Sequence, residues 1–266
     1  HLTIDYKIEQ TATVSKIIAI QKINPTTVEI VYENNQRLTL DFYGNHIFRM
    51  FQDIQGGIIR DPEAKPEAKI LVEQPRKTVN ELEVKDDGSK ATITTKDIVF
   101  SIDKQTSQFS ILNRITNKVV VESLKPITFE PKQVSLELKE NKDEYFFGGG
   151  VQNGRFSHKG QIIAIEDQNS WTVGGVASPT PYFWSTNGYG FLWHTFKKGS
   201  YAFGAKTKGT VKLSHDTDYL DVFFMINDGT VPLLNDFYQL TGNPILLPKF
   251  GLYEGHLNAY NRDFWK

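Results

Sequence analysis

The chain has 266 residues, with 30 Lys and Arg against 31 Asp and Glu, a net charge of −1, and no cysteine. This balance offers no basic stripe for nucleic acid, and the lack of thiols excludes disulfides, cysteine nucleophiles and cysteine-based metal sites. No apolar run reaches the roughly 18 residues that a membrane-spanning helix needs, while eighteen Phe and eleven Tyr suit both β-structure and surfaces that stack on sugars.

In chain order, short β-type runs dominate. Val28, Ile30 and Tyr32 alternate with polar neighbours, Glu33 to Gln36 turns, and Leu38, Leu40 and Phe42 alternate again, which predicts a hairpin. Ile47 to Phe51 is a further strand, and the charged stretch from Asp61 to Glu67, with two prolines, is a surface loop. Asp86 to Ser89 is a turn before a strand over Ala91 to Thr95. Ile98 to Ile102 pairs with Gln108 to Leu112, and Val119 to Val121 follows a turn at Thr116-Asn117. The second half repeats the pattern over Gln161 to Ile165, Tyr182 to Ser185, Gly190 to Thr195, Ser200 to Ala205, Thr210 to Leu213 and Leu220 to Ile226. Only Thr230 to Leu240 reads as helix. Thr230 or Val231 would cap it, Pro232 lies in its first turn, Leu233, Leu234, Phe237 and Leu240 share a face, and Thr241-Gly242 ends it. Many short strands without βαβ alternation predict an all-β, antiparallel sandwich with one short helix. The simplest division is a domain over residues 1–246 and a Pro-bounded linker with an unfinished unit over 247–266.

Chemistry could sit in two places. Phe146 to Arg155 contains three successive glycines followed by Gln152, Asn153 and Arg155, which suits either a ligand loop or a sharp sheet-to-sheet crossover with a polar tip. Glu166-Asp167-Gln168-Asn169-Ser170-Trp171 puts carboxylates, amides and an indole in six residues. Such groups bind a sugar's hydroxyls and its apolar face, though the run also suits a solvated loop anchored by one Trp. His158, His194 and His215 are well separated, and no His-x-His or His-x-x-x-His occurs, so no metal and no cofactor is expected. His194, after Trp193 in an apolar strand, fits a satisfied core histidine. Asp216 and Asp218 near His215 read as a turn.

Three segments together resemble glycoside hydrolase family 31. Ser178 to Trp193 (SPTPYFWSTNGYGFLW) is similar to that family's Gly-Tyr-Gly segment. Leu220 to Leu252, with Tyr238-Gln239-Leu240-Thr241-Gly242-Asn243-Pro244 and Leu247-Pro248-Lys249-Phe250-Gly251-Leu252, is similar to its strand, helix and linker passage. Phe146 to Gly150 resembles its Gly-rich turn. The family contains retaining α-glycosidases, built from an amino-terminal galactose-mutarotase-like β-sandwich followed by a (β/α)8 barrel. The resemblance implies that residues 1–246 are the sandwich and that the barrel's first strand starts near Phe250. It implies further that the catalytic aspartates lie on later barrel strands, beyond Lys266, so that no catalytic residue is expected here and this chain alone is inactive. Asp167, Asn169 and Trp171 would then reach the substrate-pocket rim, joined by Glu254 and His256 from the end of the first barrel strand. The implied partners are an α-glycoside and the chain's own downstream barrel, with neither nucleic acid nor a membrane span.

Two departures bear on specificity. Val151 follows Gly150 where the family's α-glucosidases and α-xylosidases usually carry Glu, and Glu254 to Asn258 replaces a His-Gln-Cys-Arg-like run. They make an α-N-acetylgalactosaminide or another α-galactoside a candidate substrate. A stand-alone sugar-binding sandwich is the alternative reading. An aldose-epimerase-like enzyme would need a His and a carboxylate converging in a cleft. The compartment stays open between cytoplasm and secretion, with secretion or the cell surface favoured.

Overall fold

A computed structural model of the chain describes residues 16–246. The expected linker and first barrel strand over 247–266, with Glu254 and His256, lie outside the described residues. The strands in chain order are β1 (Ile17–Asn24), β2 (Thr27–Tyr32), β3 (Arg37–Phe42), β4 (Ile47–Asp53), β5 (Glu83–Asp86), β6 (Lys90–Thr94), β7 (Ile98–Asp103), β8 (Phe109–Asn113) and β9 (Lys118–Glu122). They continue with β10 (Thr128–Glu130), β11 (Gln133–Lys139), β12 (Phe146–Gln152), β13 (Ile162–Ile165), β14 (Val176–Ser185), β15 (Tyr189–Trp193), β16 (Gly199–Phe203), β17 (Thr210–His215) and β18 (Tyr219–Ile226). The helix α1 spans Thr230–Thr241.

They form an eight-stranded sheet, β1-β2-β3-β4-β18-β15-β14-β12, and two five-stranded sheets, β5-β6-β7-β8-β9 and β10-β11-β17-β16-β13. The expected all-β antiparallel sandwich is observed: one long sheet faces two short ones across a shared core. The β5–β9 sheet meets the long sheet at its central strands β4 and β18, where Phe48 packs edge-on against Phe100 and Phe224 against Phe109. The other short sheet meets the β14/β12 end, where Phe203 touches Phe183 and stacks on Phe146. Side chains alternate across a strand, so Phe48 and Met50, with Leu220, Val222, Phe224 and Ile226, enter this core.

The alternate residues on the same central strands are buried too. Ile47, Leu192, Phe223 and Met225 form a second apolar cluster with Leu233 and Leu240 of α1, while Leu234 and Phe237 pack against it. Phe237 stacks on Tyr182 with ring centroids 4.2 Å apart. The helix therefore lies on the outer face of the long sheet, using the face its spacing predicts. Its start differs from expectation. The cap is Gly229 at φ 95°, with no side-chain hydrogen bond, rather than Thr230 or Val231. Pro232 in the first turn has no N–H, so one of the donors a capping side chain would satisfy is absent. Gly242 closes the helix, its N–H donating to the Tyr238 carbonyl.

The three glycines 148–150 are neither a crossover nor an open loop. They lie inside β12, paired with β14, with a register break between Gly148 and Gly150. All three have positive φ, at 119°, 81° and 78°. A Cβ on Gly150 would collide with the Ser178 carbonyl oxygen and lie 2.6 Å from the Thr180 nitrogen. Glycine is required both by the left-handed backbone and by the close approach of the neighbouring strand. Side chains satisfy carbonyls at the bulge and on the neighbouring strand β13. His158 Nε2–H donates to the Gly148 carbonyl at 2.7 Å, and Gln152 Nε2–H donates to those of Gly149 and Ala164 at 2.9 Å. Burial pulls the His158 pKa below its ordinary value, outweighing the bond to Gly148, which favours the charged ring.

Gly150→Ala is expected to destabilise the sandwich by about 2–4 kcal/mol through strain and steric conflict together. Gly88→Ala, where a Cβ meets nothing within 4 Å at φ 90°, should cost about 1 kcal/mol. Urea unfolding of the two variants beside the parent tests the difference.

Candidate functional site

Three features of the outer face and edge of the long sheet could carry function. The first is a buried charge network between its central strands. Arg49 on β4 and Asp221 on β18 face each other bidentately, Nε–H donating to Oδ1 at 2.7 Å and Nη2–H to Oδ2 at 2.6 Å. The second Nη2 hydrogen goes to the Arg60 carbonyl at 2.9 Å. Both Nη2 hydrogens are thus committed, so the His194 Nδ1 atom, 2.9 Å from Asp221 Oδ2, must carry a proton and donate it. Burial pulls the Arg49 pKa down, but the hydrogen bonds and charge of Asp221 outweigh it and hold the guanidinium above its ordinary range. His194 is the satisfied core histidine its setting predicts. Side-chain exposure of only 1% for His194 and 0% for Asp221 leaves a substrate no access to this His–carboxylate pair. His215 is likewise structural. It accepts from the Tyr201 hydroxyl and donates to the Lys197 carbonyl, both at 2.8 Å, and burial lowers its pKa to about 4.

The second feature is an open cleft of about 620 Å³ beside the helix, lined by Tyr43, Asp61, Lys69, Gln74 and Arg76 among others. Arg76 is anchored there, donating to both oxygens of Asp41 and lying 4.1 Å over the Tyr43 ring. The guanidinium covers one face of Tyr43 and Phe223 meets the ring at 5.1 Å, so this aromatic is not available as a sugar platform.

The third feature is at the β12 edge. Beyond Gln152 the chain runs alongside the loop that leads into β14. Asn153 N–H donates to the Gly175 carbonyl, Gly174 N–H donates to the Asn153 carbonyl, and Asn153 Nδ2–H donates to the Ser170 carbonyl. This pairing holds the 166–175 loop against the sheet edge. Asp167 is exposed, and its Oδ1 accepts the Asn169 N–H at 3.1 Å. That Asx turn holds Asn169 at φ 45°. Ser170 and Thr172 hydroxyls are hydrogen-bonded at 3.0 Å, and Trp171 between them is 74% exposed. The structure therefore brings Asp167, Asn169 and Trp171 onto one short, braced surface loop. Glu254 and His256 lie outside the described residues.

The same edge carries exposed apolar groups that the sequence pattern does not single out. Phe156 and Val173 are each 88% exposed, and Val173 packs beside Gly154. Phe156 meets Phe147 edge-on at 5.5 Å, and Phe147 stacks on Trp184 at 4.6 Å. The signal available in the sequence is an aromatic and a β-branched residue placed beside turn glycines, where polar groups are usual. Among the described residues, no group of three or more His, Asp or Glu side chains is arranged to hold a metal ion, and no helix is long and apolar enough to cross a membrane.

Residues 37–201 match the family described as "Glycosyl hydrolase 31 N-terminal galactose mutarotase-like domain". In three dimensions the chain is similar to a GH31 dextranase of Flavobacterium johnsoniae complexed with isomaltotriose, at TM-score 0.78 and 19% identity over 91% of this chain and 29% of the other. It is similar to a GH31 α-xylosidase from a soil metagenome complexed with xylose, at TM-score 0.69 and 17% identity over 87% and 36%. A cycloalternan-forming enzyme from Listeria monocytogenes, in complex with a pentasaccharide substrate, gives TM-score 0.72 and 17% identity over 89% and 23%. At these identities the likeness establishes the fold. The chain spans between 23% and 36% of the length of these structures. No curated protein matches it in sequence.

Removing one partner of the buried pair should be severe. Asp221→Asn leaves the Arg49 charge without its counter-charge and is expected to cost about 3–5 kcal/mol, whereas the double replacement Arg49→Met with Asp221→Leu recovers most of that loss. Chemical denaturation of the single and double variants measures both.

Proposed function

The chain belongs to the family of glycosyl hydrolase 31 N-terminal galactose mutarotase-like domains, and from that premise we propose that it supplies the supporting sandwich of a retaining α-glycosidase. In this reading residues 1–246 are the sandwich and 247–266 are the linker and first strand of a (β/α)8 barrel. The nucleophile and the acid/base, two carboxyl groups roughly 5 Å apart in retaining enzymes, belong to that barrel and lie outside this chain. The family match carries the proposal. The short share of each neighbouring structure that the chain spans supports it.

The braced loop gives the sandwich its part in the reaction. Asp167 and Asn169 offer a carboxylate and an amide for sugar hydroxyls, and the exposed Trp171 offers a face for the apolar side of a pyranose. We place these three at the rim of the substrate pocket, with Glu254 and His256 contributed by the barrel's first strand. The structural neighbours include proteins complexed with isomaltotriose and with xylose, so α-glucosides and α-xylosides join the α-galactosides suggested by Val151 and Glu254 as substrates to test. The exposure of Trp171 also favours a second reading, in which the sandwich binds a monosaccharide by itself.

The test is to join the chain to its native downstream sequence and assay a panel of aryl α-glycosides, following the first-formed anomer by NMR. Hydrolysis with retention is expected from the joined protein, and none from residues 1–266 alone. A joined protein inert on every α-glycoside overturns the proposal, and saturable monosaccharide binding by residues 1–246 establishes the second reading. In the active protein, Trp171→Ala should raise KM about tenfold, the size of one lost stacking contact, while leaving stability within about 0.5 kcal/mol.

A further inference from the structure

His46 stands where three parts of the molecule meet. It precedes β4 in the long sheet, and its carbonyl accepts the Ile226 N–H at the end of β18. Its ring points at two carboxylates from elsewhere. Nδ1 lies 3.3 Å from Asp97 Oδ2, in the turn between β6 and β7 of a short sheet. Nε2 lies 2.9 Å from Asp236 Oδ1, on α1. The other Asp236 oxygen accepts from Asn227 Nδ2 at 3.1 Å. The site is partly open, with 26% of the His46 side chain exposed, 21% of Asp97 and 7% of Asp236.

The geometry decides which form of the ring belongs here. An ionised carboxylate only accepts hydrogen bonds, and a neutral imidazole donates only once. With a carboxylate at each nitrogen, only the imidazolium satisfies both contacts. A neutral ring keeps the shorter bond to Asp236 and turns a lone pair towards Asp97. We propose that His46 is a proton-dependent clamp that ties helix α1 to the β5–β9 sheet when protonated and, when neutral, loosens its hold on the β6–β7 turn, which Thr95 still anchors to the Asn45 carbonyl.

The surrounding charges fit. Burial pulls the His46 pKa down, but the hydrogen bond and charge of Asp236, then the charge and hydrogen bond of Asp97, outweigh it, so it is raised from its ordinary value. Of the cations near that turn, Lys96 lies in it and is exposed, and Arg114 donates to the Thr95 carbonyl and approaches Glu81 at 3.8 Å instead. On the helix side the Tyr182 hydroxyl donates weakly to the Leu233 carbonyl at 3.4 Å, and burial keeps that phenol protonated. A pKa raised on folding gives stability that is fully present below the unfolded value of about 6.5 and is lost as pH rises through the folded value. The buried, neutral His215 acts in the opposite sense, since its lowered pKa costs stability as pH falls. Helix α1 is the last described element, so the clamp controls how firmly the carboxyl-terminal end of the sandwich is tied to the small sheet. It does not depend on the glycosidase reading.

The experiment is an NMR titration of the histidine rings in the full chain, with His46→Gln to assign the resonance, and hydrogen exchange of the α1 and β6–β7 amides across the same range. The His46 midpoint is expected above about 6.5, with protection of the β6–β7 turn falling as the ring deprotonates. In Asp97→Asn the introduced side-chain amide can donate to a neutral Nδ1, so the clamp persists without its proton. The midpoint should then drop by about 1 pH unit and protection should become independent of pH. A parent midpoint at or below about 6.5 overturns the proposal without any variant. So does an Asp97→Asn midpoint equal to the parent's.

Discussion

The fold turns on the two-sided burial of its central strands. Every residue of β4 and β15, and all but the first of β18, is buried. An antiparallel sheet commonly shows one face to water, but here the second face also holds apolar groups and, among them, the Arg49–Asp221 pair. A charge pair so deeply desolvated persists only when its hydrogen bonds are completed, and completion comes from two directions. The Arg60 carbonyl closes one side and His194 the other. The segment after β4 and helix α1 are therefore parts of the sandwich, because without them the outer face would expose both the pair and the apolar cluster around Phe223.

The β12 edge is organised differently. Three left-handed glycines break the register with β14, and the chain beyond them pairs with the loop that precedes β14 in sequence. A loop of polar residues would ordinarily be mobile, but the backbone bonds from Asn153 and Gly174 fix it to a sheet whose other face is packed core. The consequence is an exposed indole on a loop whose backbone is hydrogen-bonded to the sheet edge.

The histidines show how one side chain takes several roles by surroundings alone. His215 is buried with one donor and one acceptor and stays neutral. His194 is committed to a carboxylate that an arginine already neutralises. His46, partly open and flanked by two carboxylates, suits the cation. None of these roles follows from sequence neighbours, because each decisive partner lies at least 14 residues away along the chain.

The local half of this structure is legible in the sequence. Alternation marks β2, β3, β6, β7 and β8, because each buries one face on the shared core and leaves most of the other wet or half-wet. The spacing of Leu233, Leu234, Phe237 and Leu240 marks α1 and its packed face for the same reason. The Asp167 to Trp171 run stands out as a loop, because its polar residues have no periodic face to bury. The tertiary structure decided the rest. Strand β12 is hidden by glycines whose function is to let β14 approach, and β5 and β10 are too short for a period to show. The pairing of β4 with β18, which creates the Arg49–Asp221 contact, joins residues 172 positions apart. Periodicity reports only whether a residue faces inward. Which inward-facing groups meet depends on how the sheets are ordered and stacked, and that order is set by the packing of the whole core.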